Sequence, residues 1–164
     1  MGTLQMTKAI KQIVIFDLDN CLSDDQWRLH MIDVYNLPFT SEHELMACYD
    51  NYHLLSPWDS ARHVDFFNSF PENTFDRIVV TSRPEKFRTM TYEWLSRSML
   101  HPRRVLMRAN DDFRNCVEVK QSMVERLKPE LIHHAFDDKA DVVAMYRILG
   151  IKAEILAIND RTLG

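Results

Sequence analysis

Glycine, cysteine and long apolar runs are all scarce in this chain, and each shortage excludes a class of protein. Only three of the 164 residues are glycine, and no GxxxxGK[ST] stretch occurs, which excludes a phosphate-binding P-loop. The cysteines, Cys21, Cys48 and Cys116, have neither paired nor metal-ligand spacing, so we expect reduced thiols in a cytoplasmic protein. No apolar run approaches the roughly 20 residues that a membrane-spanning helix needs.

Charge and histidine spacing narrow the possible functions further. The net charge of −4 argues against a protein that coats nucleic acid through bulk positive charge. His133 and His134 lie in a predicted strand, and without an HExxH pair we expect no zinc site. The polar stretch Met1 to Lys8 lacks the apolar centre of a signal peptide, so we expect none.

Strand-like and helical segments alternate along the chain, whose length and 46% hydrophobic content suit one domain over residues 1–164. Gly150 is expected to end the last helix. Such alternation predicts an α/β fold: a Rossmann-like parallel sheet flanked by helices, with ligands bound at the carboxyl ends of the strands. The predicted strands are Ile13–Asp17, Arg77–Thr81, Val105–Arg108, Leu131–Phe136 and Ala153–Ala157.

The segment from about 23 to 57 interrupts this alternation and predicts a small helical cap inserted after the first strand. The pairs Ser23/Gln26 and Ser41/Glu44 have capping-box spacing, so a short helix is predicted to begin at each serine. The aromatic side chains of the cap either stack against a ligand or pack the cap onto the body. They are Trp27, Tyr35, Phe39, Tyr49, Tyr52 and Trp58.

The first strand ends in two carboxylates. Asp17 and Asp19 follow the apolar run that ends at Phe16, and their i, i+2 spacing points both to one side. Near a protein surface, two like charges 4 Å apart cost roughly 4 kcal/mol. A divalent cation such as Mg²⁺, which prefers oxygen ligands, would remove that repulsion. An ordinary acidic turn explains these two residues equally well on their own.

The second strand ends in hydroxyl and cationic side chains. Pro84 suits a first helical turn and Glu85 has capping spacing with Ser82, so a helix is predicted to begin here. A helix N-terminus, with the hydroxyl of Thr81 or Ser82 and the cation Arg83, would form an anion site. Taken alone, the pattern also fits an ordinary helix cap.

Later positions add a lysine, an arginine and a second acidic pair. Lys120 lies near the start of a predicted helix, and Arg108 supplies positive charge where an anionic substrate would approach. The strand Leu131–Phe136 ends in Asp137 and Asp138. Acidic residues that follow two strands of one sheet lie at the same edge of that sheet. This pattern indicates a metal site rather than two unrelated acidic turns.

The order Asp-x-Asp, Thr/Ser, Lys and Asp-Asp resembles the haloacid dehalogenase superfamily of phosphohydrolases, whose four motifs occur in this order. The resemblance covers the chain outside the helical cap. The Asp137-Asp138-Lys139 element is also similar to that of 5′(3′)-deoxyribonucleotidases. Four stretches are similar to the 3′-phosphatase domain of phage-type polynucleotide kinases: Val80–Pro84, Met107-Arg108, Val119-Lys120 and Phe136–Tyr146.

This resemblance implies a Mg²⁺-dependent phosphomonoesterase acting on a nucleotide, either a free monophosphate or the 3′-phosphate of a nucleic-acid end. Asp17 is the implied nucleophile that forms an aspartyl-phosphate, and Asp19 is the implied acid and base. Thr81 and Lys120 would bind phosphoryl oxygens. The candidate substrate contacts are Ser82, Arg83 and Arg108. The implied Mg²⁺ ligands are Asp17, the main-chain carbonyl of Asp19, and Asp137 or Asp138, with the choice between the last two left open.

One departure from the superfamily pattern stands out. Asn20-Cys21 replaces the usual Gly-Thr after Asp-x-Asp. Asn tolerates the left-handed backbone that glycine would adopt, whereas a thiol is a weaker hydrogen-bonding group than the hydroxyl of threonine. The alternative function is a binding module of the same fold that holds a nucleotide or a protein without turnover. A phospho-receiver domain fits less well, because its phospho-accepting Asp follows a later strand.

Overall fold

The computed structural model describes residues 9–32 and 41–161, which form seven strands in two sheets. The polar stretch Met1–Lys8 and the cap aromatics Tyr35 and Phe39 lie outside these ranges. The larger sheet has five parallel strands, which confirms the predicted α/β class. The strands are β1 Gln12–Phe16, β2 Ser23–Asp24, β3 Ser60–Ala61, β4 Phe75–Pro84, β5 Arg104–Arg108, β6 Ile132–Asp137 and β7 Ala153–Ile155.

The five-stranded sheet has the order β5-β4-β1-β6-β7. All of its pairs are parallel, so the carboxyl ends of β1, β4 and β6 meet at one edge. Alternate side chains of β1 enter two apolar clusters, because successive residues of a strand face opposite sides. Ile15 packs in the cluster that contains Tyr146, and Phe16 packs in the cluster that contains Trp94. The sheet is therefore covered on both faces.

Five α-helices lie within the described ranges, and helices cover both faces of the sheet. Gly150 follows the last helix with φ 80°, which confirms that it ends this helix. Trp94 in α3 covers one face, whereas Tyr146 in α5 covers the other. The helices are α1 Glu42–Leu54, α2 Val64–Asn68, α3 Arg88–Arg97, α4 Cys116–Val124 and α5 Ala140–Ile148.

The cap segment confirms one predicted helix start and contradicts the other. Ser41 Oγ accepts a hydrogen bond from the main-chain N–H of Glu44 at 3.3 Å, at the start of α1. Ser23 instead lies in β2, and its hydroxyl donates to the buried carboxylate of Asp59. A buried carboxylate needs donors more than an exposed helix end does, because water solvates the latter. The helix that follows, Gln26–Ile32, is a 3₁₀ helix.

The predicted helix start at Ser82 is wrong. The strand β4 continues through Ser82 to Pro84, and a 3₁₀ turn, Glu85–Phe87, then precedes α3. Pairing with β5, in which Pro84 lies opposite Arg108, keeps this backbone extended. The anion site expected at a helix N-terminus here is therefore replaced by the end of a strand.

The composition predicts that no helix spans a membrane and that the cysteines are reduced. Within residues 9–32 and 41–161, no helix is long and apolar enough to cross a membrane. All three cysteines have free thiols, as their spacing predicts.

Candidate active site

Three carboxylates meet where β1 and β6 end. Asp17 follows β1, and its main-chain N–H donates to the carbonyl of Phe136 on β6 at 2.9 Å. Asp137 ends β6, and Asp138 follows it. One oxygen each from Asp17, Asp137 and Asp138 lies within 4.8 Å of the other two. Acids from opposite ends of the sequence therefore share one site, as the pattern of strand ends predicts.

Lys120 reaches this cluster from α4. Its side chain is buried, and Nζ donates to Asp17 Oδ1 and to Asp137 Oδ2 at 2.6 Å each. Burial by itself would lower the pKa of Lys120, but the charges of Asp137 and Asp17 raise it well above its usual value. Lys120 is therefore a permanent cation fixed between two acids.

The three carboxylates carry more charge than Lys120 neutralises. Burial raises the pKa of Asp17 to about 7, with Lys120 opposing the shift and Asp138 adding to it. Burial likewise raises the pKa of Asp137 to about 6. When all are ionised, three negative charges against one positive charge leave a net charge of −2. This donor set and this charge fit a hard divalent cation such as Mg²⁺.

The tight turn after Asp19 depends on Asn20. Its φ of 59° lies in the left-handed region, as expected for Asn in place of glycine. Its Nδ2 donates to Asp138 Oδ2 and to the carbonyl of Asn159 at 3.0 Å each, and its Oδ1 accepts from the N–H of Asn159 at 2.9 Å. Cys21 packs in the apolar cluster around Phe16. The side chain of Asn20 therefore ties the turn to the acidic cluster.

Replacing Asn20 separates its backbone role from its side-chain role. Asn20→Gly keeps the left-handed backbone but loses the amide hydrogen bonds, so we expect the free energy of unfolding to fall by about 1–3 kcal/mol. Asn20→Ala loses the same bonds and adds about 1–2 kcal/mol of left-handed strain. Urea denaturation followed by circular dichroism should rank wild type above Asn20→Gly and Asn20→Gly above Asn20→Ala. Equal stabilities for the two variants would contradict a strained backbone at this position.

The Asp19 carboxylate lies between two fully buried arginines, apart from the three clustered acids. Arg83 donates to it through Nε at 3.0 Å and Nη2 at 2.6 Å, and Arg28 donates through Nη2 at 2.7 Å. Burial raises the pKa of Asp19, but the charges of Arg83 and Arg28 outweigh burial and lower it well below its usual range. Asp19 is therefore held as an oriented carboxylate. A metal contact through its main-chain carbonyl stays a prediction.

Sequence reasoning missed Arg28, which links Asp19 to the cap. Its Nε donates to the buried Asp59 at 2.8 Å, and its Nη1 donates to the main-chain carbonyl of Tyr52 at 2.9 Å. The guanidinium carbon also lies 4.0 Å from the centre of the Tyr52 ring. An arginine in a surface segment is ordinarily exposed, and these partners lie 24 and 31 positions away, so no local pattern marks it.

The end of β4 contributes two hydroxyls to the same region. Thr81 is buried, and its Oγ1 accepts a hydrogen bond from the main-chain N–H of Arg83 at 3.2 Å. Ser82 Oγ is also buried, and within the described parts of the chain it has no hydrogen-bond partner. Either hydroxyl has donor capacity for an anion, although both lie near the end of a strand rather than cap a helix.

Arg108 anchors the loop that follows β5. Its Nε donates to the carbonyl of Ser82 at 2.9 Å, and its Nη1 donates to the carbonyls of Asp112 and Arg114 at 2.9 and 2.6 Å. Burial lowers the pKa of Arg108 from its usual value. The side chain thus fixes the loop beside the site, and its contact with substrate stays a prediction.

A cavity of about 420 Å³ lies over these strand ends, within the size range of small-molecule sites. Asp137 does not line the cavity, but it contacts the lining residue Lys120 through a hydrogen bond. Residues of α1 and of the loop after β5 also line the cavity. The predicted site residues that line the cavity are Asp17, Asp19, Thr81, Ser82, Arg83, Arg108, Lys120 and Asp138.

His53 on α1 is a second residue that sequence reasoning missed, and it lines the cavity. It is buried, and its ring lies 4.9 Å from that of Tyr52 and 5.4 Å from that of Phe87, centre to centre. Burial lowers the pKa of His53 to about 3, despite the opposing charge of Asp19. The imidazole is therefore neutral at physiological pH and adds no charge to the cavity wall.

A family model described as the polynucleotide kinase PNKP phosphatase domain matches residues 11–160. The matched range includes both acidic pairs, Thr81 and Lys120. The chain belongs to this family. The match confirms the resemblance to haloacid dehalogenase phosphatases that the four motifs indicated. It also supports assignment of the chain as a hydrolase of the phosphatase type.

Solved structures share the fold of this PNKP-type phosphatase domain. A chain of the Pnkp1/Rnl/Hen1 complex matches with a TM-score of 0.69 and 20% identity, over 98% of this chain and 52% of that one. The HAD hydrolase YfnB from Bacillus subtilis, bound to magnesium, matches with a TM-score of 0.61 and 12% identity, over 88% of each chain. At these identities the likeness concerns the fold alone.

A haloacid dehalogenase-like hydrolase from Streptococcus pneumoniae also shares the fold, with a TM-score of 0.61 and 12% identity, over 87% of this chain and 83% of that one. The phosphatase domain spans about half the length of the chains of the Pnkp1/Rnl/Hen1 complex that it matches. A search of curated proteins found no match.

Proposed function

We propose that this phosphatase domain is a Mg²⁺-dependent phosphomonoesterase that acts on nucleotides, with the 3′-phosphate of a nucleic-acid end as its preferred substrate. The observation that carries the proposal is the meeting of Asp17, Lys120 and Asp138 at the polar end of one cavity. Asp19 lines the same cavity two residues after Asp17, so a nucleophile and a proton-transfer group would face one substrate.

Asp17 is the proposed nucleophile. Lys120 holds one of its oxygens at 2.6 Å and so orients the carboxylate. A bond would form from Asp17 to phosphorus while the ester bond breaks, which yields an aspartyl-phosphate and releases the alcohol. Lys120 and the hydroxyl of Thr81 would stabilise the phosphoryl oxygens in the transition state.

Asp19 is proposed to protonate the leaving oxygen and later to deprotonate the water that cleaves the aspartyl-phosphate. Before substrate binds, Arg28 and Arg83 keep Asp19 ionised. The negative charge of a bound phosphate monoester would oppose the two arginines and raise the pKa of Asp19. The arginines would then serve chiefly to fix the direction in which the proton moves.

The acidic cluster is the proposed Mg²⁺ site, with Asp137 as a residue that orients it. Both Asp137 oxygens already accept hydrogen bonds, one from Lys120 and one from the main-chain N–H of Lys139 at 3.0 Å. Asp138 Oδ2 accepts from Asn20, which leaves its Oδ1 better placed to ligate. Bound Mg²⁺ would supply the positive charge that lets a carboxylate approach a phosphate anion. The proposed ligands are Asp17, Asp138 and the main-chain carbonyl of Asp19.

Membership of the PNKP phosphatase family supports a nucleotide substrate and, in particular, a 3′-phosphorylated end. One solved relative is described as part of an RNA repair complex, at 19% identity. A free nucleoside monophosphate presents the same phosphate ester to the same residues. Both substrates therefore require the same chemistry. They differ in the rest of the nucleic-acid strand, which only the strand-end substrate carries beyond the cavity.

Release of inorganic phosphate tests the proposal. We expect turnover of a 3′-phosphorylated oligonucleotide in the presence of Mg²⁺, with kcat/KM at least about 100-fold above that for the 5′-phosphorylated oligonucleotide of the same sequence. Nucleoside 3′- and 5′-monophosphates serve as the second pair of substrates. If only the mononucleotides are hydrolysed, the substrate is a small nucleotide rather than a strand end. If none of the four substrates is hydrolysed, the proposed activity is wrong.

Removal of divalent metal is expected to stop turnover. Without a cation, the ionised carboxylates of the acidic cluster would repel a phosphate anion, so kcat should fall at least about 100-fold after dialysis against EDTA. Added Mg²⁺ should restore the rate, and circular dichroism should show that the protein stays folded throughout. Turnover that survives chelation would contradict the metal-dependent mechanism.

A further inference from the structure

The loop between β5 and α4 holds one large apolar side chain at the cavity. Phe113 is 69% exposed and lines the cavity beside Arg114. Within residues 9–32 and 41–161, no aromatic ring packs against it. Single exposed apolar residues are common on protein surfaces. The exposure of Phe113 is therefore not evidence of a binding role by itself. Its position in the cavity wall is a second, independent observation.

Hydrogen bonds anchor this loop on both sides of Phe113. The carbonyl of Asp112 accepts from Arg108 at 2.9 Å, and the main-chain N–H of Arg114 donates to Asp112 Oδ1 at 3.2 Å. The Arg114 guanidinium donates to Asp112 at 2.7 Å and to Ser122 Oγ, on α4, at 2.9 Å. The loop backbone is thus anchored on both sides of Phe113, whose exposed ring lines the cavity.

Helix α1 supplies the other apolar part of the cavity wall. Leu45, Met46 and Tyr49 of this helix line it, and Tyr49 is partly exposed. The carboxylates, Lys120 and Thr81 line the same cavity. A nucleotide combines the same two characters, because its phosphate is polar and its base presents two flat apolar faces.

We propose that Phe113 is a stacking platform for the base of the nucleotide whose phosphate is removed. The inference rests on the proposed nucleotide substrate and adds a residue that determines its binding. Because every base has a flat π face, stacking on Phe113 would favour nucleotides over other phosphate esters without selecting one base. The anchored loop would hold the platform in place before the substrate arrives.

A substrate pair that differs only in the base tests this platform. The first is a 3′-phosphorylated oligonucleotide, and the second is identical except that its phosphorylated terminal residue is abasic. Phe113→Ala should lower kcat/KM about tenfold for the first, mainly through KM, and less than about twofold for the second. Phe113→Trp should keep wild-type values, because a larger ring preserves the stacking face. Trp58→Ala, at an exposed ring outside the cavity, is the matched control and should match wild type on both substrates.

The other outcomes overturn the platform in distinguishable ways. If Phe113→Ala lowers kcat/KM equally for the two substrates, Phe113 supports the loop structure rather than the base. If kcat/KM falls for neither substrate, Phe113 is an ordinary surface residue. If wild-type protein releases phosphate from neither substrate nor any mononucleotide, the proposed function fails and the platform fails with it. That result appears before any variant is measured, so the two failures cannot be confused.

Discussion

Asp17→Asn is expected to lower kcat by roughly 10⁴-fold or more, because an amide cannot form the aspartyl-phosphate. The substitution is nearly isosteric, and the amide oxygen of Asn can still accept from Lys120. It also removes one charge from a cluster in which burial already raises the pKa of Asp17 to about 7. We therefore expect the variant to stay folded, and phosphate release at saturating substrate and Mg²⁺ measures the loss.

Asp111→Asn provides the matched control for the nucleophile. Asp111 is exposed on the loop after β5, so the same chemical change there should leave turnover at the wild-type level. Mass spectrometry of protein quenched during turnover should find one added phosphoryl group on the peptide that contains Asp17. Full turnover by Asp17→Asn would assign the nucleophile to another residue. Binding of a nucleotide without turnover by the wild type would favour the silent binding module.

Arg28→Ala is expected to lower the free energy of unfolding by about 3–5 kcal/mol, because it leaves buried carboxylates without their shared cation. The buried Asp59 would keep the neutral donors of Ser23 and Trp27, but its nearest cation would be Arg83 at 3.9 Å. Asp19 would lose one of its two cationic partners. Arg28→Lys restores the charge but not the planar fork that joins the two acids, so an intermediate stability is expected. Urea denaturation measures both variants.

The activity of Arg28→Ala should fall about 100-fold at a temperature where the variant is folded, because Asp19 would lose part of the clamp that directs its proton. Arg62→Ala is the matched control. The exposed Arg62 pairs with Asp24 at 3.2 Å, and loss of such a surface pair changes stability by less than about 1 kcal/mol. Equal stabilities for the Arg28 and Arg62 variants would contradict a buried clamp.

The parallel sheet and its acidic edge were predictable because they depend on local patterns. Apolar runs of strand length end at Asp17 and at Asp137, and parallel pairing then brings both ends together. The resemblance carried by the motif order also implied that Lys120 shares a phosphate site with these acids. Their catalytic and metal-binding roles stay proposals.

Local patterns failed where non-local partners were stronger. Ser23 has capping-box spacing, yet its hydroxyl donates to Asp59, 36 positions away. Ser82 has capping spacing with Glu85, yet β4 pairs with β5 at Val80 and again at Pro84, and the backbone stays extended between them. In both cases, hydrogen bonds to distant residues outweigh a weak local preference.

Apolar periodicity and motif order alone predicted the α/β class, the order of the polar groups along the strands, and the family that the chain resembles. Three features could be found only from the packing of distant segments: Arg28 joins Asp19 to Asp59, His53 is a neutral residue of the cavity wall, and Phe113 lines the cavity. Periodicity reports on contacts within a few residues of one another. Burial and ion pairing depend instead on how the cap and the loops pack against the sheet.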